Sequence, residues 1–404
     1  MTPVRRVRCR VVPAVLLAAV AGQVDLAATF EPEVRADAVH SNNVYFLPGE
    51  NEPRADWFAR LGLFLAVRGE SARGPWALNY EPAVLRYLEE SELDRWEHRA
   101  SLNGETRAGR RTTLAYGAAF TRTYTQGGSG SLEPQDLLLV PRAELDVLSA
   151  SVSARREIAR RWTWTGELLG SDLDYAAVGE DTGLLEDRRS YGAALEFERS
   201  MSPSATFGIE YRLLRSELDA TGDENDHIVA FTSGLGISEN TILTVVGGAF
   251  LRAISSEEDS ELDERDQRIG AHGRVALDHV MREAMLHVEA AHVPSTGGAL
   301  AGTSTDTTAS LGWSGSHLDR WLWTTSARWA RRRPTIEGEP ILESMGAGAE
   351  SEWRPHPRLG WRLGGDWLRQ TGGESVGLDG SFVTVRVGMT WYTRGSSRSV
   401  EQGR

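Results

Sequence analysis

The chain contains no lysine, only one cysteine, and no apolar run long enough to cross a membrane as a helix. All 44 of its basic residues are arginine, and a guanidinium keeps its charge in a confined polar space where a lysine readily loses it. The single cysteine, Cys9, precedes the apolar stretch Val11 to Ala21. A lipoprotein cysteine has to follow such a stretch, so lipid attachment through Cys9 is excluded. A chain processed after Ala21 then has no disulfide and no thiolate metal site. The eleven residues of that stretch fall short of the ~20 a spanning helix needs. Behind Arg5, Arg6, Arg8 and Arg10, and ending in Ala19-Val20-Ala21, they read as a cleaved export signal over 1–21.

Motifs for enzyme chemistry are also missing. There is no His-Glu-x-x-His, phosphate loop or dinucleotide fingerprint, and the Gly-x-Ser-x-Gly spacing at Gly373 to Gly377 falls in the long connection Thr371 to Gly380, with no helical segment after it to form a nucleophile elbow. His272 and His287 fall on polar faces of alternating segments, where a histidine is ordinarily a wall residue, and the expectation is a protein that is not an enzyme and needs no cofactor. The net charge is −13, and it becomes more negative once the four signal arginines are removed. An acidic surface of that kind argues against nucleic acid as a partner. Its carboxylates gather in runs such as Ser256 to Asp266 and Gly222 to Asp226. These lack the Asp-x-Asp-x-Asp-Gly spacing of a calcium loop and read as solvated loops with no metal.

What the chain has in abundance is alternation. From Ser381 to Tyr392, Val383, Val385, Val387, Met389 and Trp391 share one face, and Thr384, Arg386, Gly388 and Thr390 share the other. Candidate strands follow at 30–40, 55–68, 75–87, 95–107, 112–124, 138–152, 161–174, 188–199 and 204–217. Others lie at 226–238, 241–253, 266–278, 284–293, 306–316, 320–330, 341–353, 359–369 and 381–393. Short connections such as Ser202-Pro203-Ser204 alternate with long ones such as Gln126 to Asp136, Asp219 to Asp226 and Thr371 to Gly380. A soluble sandwich has no reason to keep that order, whereas short periplasmic turns opposite long extracellular loops mark an outer-membrane barrel. The expected fold is therefore all-β, a transmembrane antiparallel up-and-down barrel of about eighteen strands, with sixteen as the alternative. It occupies 22–394 and is followed by a polar tail over 395–404.

The two faces of such a barrel meet different solvents. Trp57, Trp96, Trp162, Trp321, Trp323, Trp361 and Trp391 fall on apolar rows, mostly at strand ends, where an indole lies in lipid and its N–H meets headgroups. By alternation the lumen receives Arg60, Arg68, Glu97, Arg99, Glu105, Arg142, Glu144 and Asp146. It also receives Glu210, Arg212, Arg274, Glu289, Arg328, Arg362, Asp366 and Arg386. Opposite signs nearly balance in this set, so it favours neither anions nor cations. Paired charges stabilising the wall are the default for any one of them. Eighteen strands nonetheless enclose room for water.

A resemblance rests on the amino-terminal third. His40-Ser41-Asn42-Asn43, the strand Asp56 to Val67, Leu78-Asn79-Tyr80 with Tyr87, and Asp94-Arg95-Trp96-Glu97-His98 carry it, over about a quarter of the chain. They resemble the outer-membrane barrels encoded with exopolysaccharide synthesis and exosortase-type loci, a family that includes the barrel porins of myxobacterial polysaccharide secretion. Asn42 stands where that family usually has Asp. The resemblance implies a barrel, often eighteen-stranded, that works with a periplasmic polysaccharide-export protein to pass polymer outward. It supplies no catalytic residues.

The sequence thus points to an outer-membrane channel with polysaccharide export as the favoured cargo. A passive or solute-specific porin, and a non-conducting scaffold or adhesin, are the alternatives. The expected surroundings are outer-membrane lipid and lipopolysaccharide. The final strand, ending in Trp391-Tyr392, resembles the signal read by barrel-assembly machinery and is expected to close against Phe30 to Ala38.

Overall fold

Backbone polar groups in lipid must all be paired within the protein, and a sheet achieves this only by closing on itself. The computed structural model describes residues 27–44, 54–124, 143–177, 186–218, 222–255, 266–295, 304–318, 320–335, 340–372 and 379–393, and shows that closure. The export signal, Arg142, the acidic run 256–265 and the tail 395–404 lie outside the described residues.

The strands are β1 (Ala27–Ser41), β2 (Asp56–Ser71), β3 (Gly74–Tyr87), β4 (Arg95–Arg107), β5 (Thr112–Tyr124), β6 (Ala143–Ala159), β7 (Trp162–Ala177), β8 (Arg188–Ser202) and β9 (Ala205–Leu218). They continue as β10 (Gly222–Ser238), β11 (Thr241–Ser255), β12 (Asp266–Val280), β13 (Ala284–Ser295), β14 (Ser304–His317), β15 (Trp321–Pro334), β16 (Leu342–His356), β17 (Leu359–Thr371) and β18 (Gly380–Tyr392). Each pairs antiparallel with its successor, and β18 pairs with β1, so the barrel is closed with eighteen strands. The closing register runs from Glu33 opposite Tyr392 to Ser41 opposite Thr384. At its upper end the Val383 N–H donates to Asn42 Oδ1 at 2.7 Å.

One end of the barrel carries the tight turns, such as Ser71 to Gly74 and Ser202 to Ala205, together with both chain ends of the sheet. The other carries the longer connections, including a single 3-10 turn at Ser91–Leu93. Asp56 holds that connection in place by accepting from the N–H groups of Glu89 and Glu90, the latter at 3.0 Å. Arg86 donates to Asp94 at 2.7 Å, and this bond, with the Tyr87 N–H, holds the Asp94 carboxyl below the usual carboxylate range.

Two departures from the sequence reading share one cause. The expected long loop Asp219 to Asp226 is mostly strand, because β10 begins at Gly222. Strands of 13 to 17 residues, such as β4 and β6, exceed the ~9–11 that cross the hydrocarbon. Their upper ends stand beyond the apolar band, where a charged side chain is solvated on either face. Glu144 and Asp146, expected in the lumen, sit in register with Tyr124 and Arg122, on the face shared by Leu148 and Val152. That is the outer face, where Arg122 donates to both oxygens of Asp146 at 2.8 and 2.6 Å.

Candidate functional site

Which face is inside follows from burial and register together. The row containing Val34, Leu61, Leu63 and Trp391 is exposed and apolar, and the row containing Glu33, Asp37, Arg60 and Arg386 is buried and charged. A chain of apolar outward side chains continues around the barrel, with Leu168, Ile209, Val275 and Leu363 among them. The indoles of Trp57 and Trp96 lie on this outer face near the loops, and those of Trp162, Trp321, Trp361 and Trp391 lie on it near the turns. Trp323 is also outward and meets Trp313 edge-on at 4.4 Å. An aromatic belt at each edge of an apolar band is the arrangement a bilayer requires.

Inside, charges collect in two groups on opposite walls. The first spans the closing seam from β16 to β4. Arg386 donates to Asp366 at 2.8 Å and approaches Glu350 at 3.5 Å. Arg362 donates to both oxygens of Asp37 at 2.6 and 2.8 Å. Arg60 donates to Glu81 at 3.0 Å and lies 3.7 Å from Glu97. Glu97 accepts in turn from Arg95 at 3.1 Å and from the Thr123 hydroxyl at 3.2 Å. The alternation pattern brings Arg60, Glu97, Arg362, Asp366 and Arg386 into this group. It missed Asp37, Glu81, Arg95 and Glu350, each of which stands on the inward row of its own strand.

The second group lies at the loop end between β10 and β15. Arg252 is its hub: it is 1% exposed, donates to Asp226 at 2.9 and 2.8 Å, and touches Glu224. Its remaining nitrogen donates to the Ser304 carbonyl at 3.0 Å and to the Thr335 hydroxyl at 3.4 Å. Beside it, Arg332 donates to Asp306 at 3.1 and 2.9 Å, and Arg268 donates to the Thr335 carbonyl. These contacts stand where the wall is thinnest in hydrogen bonds. The β12–β13 ladder ends at Gly273 opposite His292, and Asp266 to His272 pair only with β11. The acidic run read as a solvated loop therefore supplies Glu224 and Asp226 to a buried network. Arg252 itself was hidden because both faces of β11 are mostly apolar, from Ile242 to Ile254.

The remaining inward candidates are less enclosed. Arg212 pairs with Glu210 at 2.7 Å and Arg274 with Glu289 at 2.6 Å. Arg68, Arg99, Glu105 and Arg328 also point inward by register. Between the two charged groups the inner face carries hydroxyls, including Ser149, Ser151, Ser153, Thr163 and Thr165. Leu169 lies level with Ser151, and above it Leu145, Val147 and Leu173 make an apolar patch that uniform polar-in alternation does not anticipate. His287 is bonded to Asp278 at 2.7 Å. Among the described residues no group of histidine, cysteine and carboxylate side chains is placed to hold a metal.

No family model matches the chain, and no curated protein matches it. Among solved structures it is similar in chain course to several porins. The Pseudomonas aeruginosa protein OccK2 (OpdF) aligns at 13% identity with a TM-score of 0.48, covering 91% of this chain and 97% of that one. Acinetobacter baumannii OccAB3 aligns at 9% identity and TM-score 0.48, covering 91% and 99%. A BenF-like porin from Pseudomonas fluorescens Pf-5 aligns at 9% and 0.48, covering 91% and 98%. At this distance neither a solute nor a functional residue carries across.

Proposed function

We propose that the protein is an outer-membrane channel of the porin type, letting small hydrated solutes diffuse through the barrel. One observation carries the reading. Arg212 and Arg274 point inward by register, yet their side chains are 43% and 50% exposed. An inward side chain that is half exposed faces water, so the lumen between the charged walls is wet, unlike a small barrel packed shut by its own side chains. Pairing of those arginines with Glu210 and Glu289 leaves the path close to neutral, which suits solutes of either sign.

The residues that resemble the polysaccharide-locus family do different work. Tyr80 and His98 bond to each other on the outer face at 3.0 Å, and Asn42 clasps the closing seam. Tyr87, Arg95 and Glu97 meet inside, in a buried group that satisfies itself. These positions satisfy one another within the wall, which supports diffusion of small solutes over polymer export. The proposal includes export through a signal cleaved after residue 21, assembly through β18 by barrel-assembly machinery, and lipopolysaccharide around the loop end. Liposome swelling tests it. Vesicles holding the folded protein should swell in isotonic monosaccharide and fail to swell in long dextran. Equal resistance to both solutes contradicts a channel.

A further inference from the structure

The geometry points to a docking surface for an acidic protein on the turn end of the barrel, along the arc from β2 to β9. Four neighbouring turns build it. The first presents Arg73, and the second Arg107, Arg110 and Arg111. The third presents Arg155, Arg156, Arg160 and Arg161, and the fourth Arg199. All are exposed. The turns are tied to one another: the Arg107 N–H donates to the Arg73 carbonyl at 2.8 Å, Glu157 to Arg111 at 3.0 Å, and Ser200 to Arg161 at 2.9 Å. The array is therefore held in register and does not float on separate loops.

Charge on this arc is out of keeping with the rest of the molecule. Residues 70–76, 105–113, 155–162 and 198–205 hold nine arginines and four carboxylates, in a chain of net charge −13. The matching segments of the other half, 236–242, 278–286, 315–322 and 352–360, hold four arginines and five carboxylates. There Arg354 pairs with Glu352 at 2.6 Å, and His317 meets Glu283 at 3.0 Å. On the basic arc the ion pair found among the described residues is Arg155 with Glu198, at 3.5 Å. Arg107, Arg110, Arg111 and Arg155 instead surround a shallow cavity whose one carboxylate is Glu157.

Lipid headgroups surround the whole circumference alike and would ask the same of every turn, so a cationic surface confined to one half indicates a localised partner. The chain's own tail does not supply it, since 394–404 contains three arginines and one glutamate. The arc crosses seven strand spacings, roughly 34 Å at ~4.8 Å each, which is the reach of a macromolecular face and not of a single small anion. Apolar side chains are exposed at the turns of both halves, Ile237, Met281 and Leu318 on the other one, and only on the arc do they stand among clustered arginines. Ile158 and Met201, each the extra residue of a β-bulge beside its turn, are 53% and 49% exposed among the arginines. Arginine, methionine and apolar anchors together are the composition of protein interfaces.

The test uses the full-length barrel in nanodiscs of zwitterionic lipid and a fluorescent twenty-residue peptide of glutamate and leucine, followed by anisotropy. The peptide should bind, with affinity falling as salt rises. The turn variant Arg110→Glu/Arg111→Glu/Arg160→Glu/Arg161→Glu should weaken it at least about tenfold. Ile158→Ser/Met201→Ser should weaken the peptide about threefold while leaving a polyuronate of equal charge unaffected. Arg282→Glu/Arg320→Glu, on the other half, should change nothing. Equal binding by wild type and the turn variant overturns the proposal. So does polyuronate binding more tightly than the peptide, or peptide binding that vanishes when phosphatidylglycerol vesicles compete at equal charge. Peptide binding does not depend on conduction, so failure of the channel reading and failure of this one are told apart.

Discussion

Arg362 on β17 reaches Asp37 on β1 across the whole width of β18, making two hydrogen bonds of 2.6 and 2.8 Å. Both residues stand opposite Gly388, and a Cβ there would coincide with the Asp37 carboxylate. Absence of a side chain at one position thus lets a charge pair staple the strand that closes the barrel.

The pair is nearly dry, with Asp37 2% exposed as a side chain. Removing one partner strands a charge, so Asp37→Ala or Arg362→Ala should lower stability by about 3–5 kcal/mol. The double variant should lose much less than the sum of the two. Urea unfolding followed by the mobility shift of heat-sensitive barrels checks this. Additive losses would show that the two side chains do not act as a pair.

Gly388→Ala should displace Asp37 and reduce the yield of folded barrel. Gly247→Ala places its methyl where no atom lies within 4 Å and should be silent. Refolding yields of the two variants, measured side by side, give the comparison.

Arg252 holds the loop end where the β12–β13 ladder has stopped. Arg252→Met leaves Asp226 and Glu224 buried without their cation and should destabilise by about 3–5 kcal/mol. Hydrogen exchange should quicken first at β12 above Gly273. If protection there is unchanged, the wall is held by the backbone alone.

Asp94 is held below its ordinary range by Arg86. A carboxyl depressed on folding lends stability above its unfolded value of about 3.9, and that stability disappears as pH falls through the lower folded value. Protection of the Tyr87 amide, which donates to Asp94 at 2.8 Å, should persist at neutral pH and fade below about pH 4. Asp94→Asn should remove the pH dependence.

The eighteen strands, their alternating short and long connections and the seam at β18 were legible in the sequence, because each depends on a period of two and on turn chemistry that is local in the chain. At Ser381 to Tyr392 even the inward placement of Arg386 follows from period alone. What escaped depends on where the bilayer ends. Glu144 and Asp146 alternate correctly with Leu145 and Val147, yet above the apolar band a charged residue is as well solvated outside as in. Polarity there no longer reports the face, and the ladder from β4 through β5 decides it. The Arg252 network escaped for a second reason: it joins β10, β11, β14 and Thr335, residues brought together by register and by a gap in the wall that no sequence period records. Single-cysteine labelling, undisturbed in a chain whose one cysteine is Cys9, checks the inversion. A spin label at Val147 should be sheltered from lipid-soluble relaxants, and one at Val152 should be open to them.

Planar-bilayer conductance bears most directly on the wet lumen. Folded protein should give stepwise, ohmic currents that rise with potassium chloride concentration, with little preference between cation and anion. Silent membranes holding barrel of confirmed fold would contradict a water-filled path past Arg212 and Arg274.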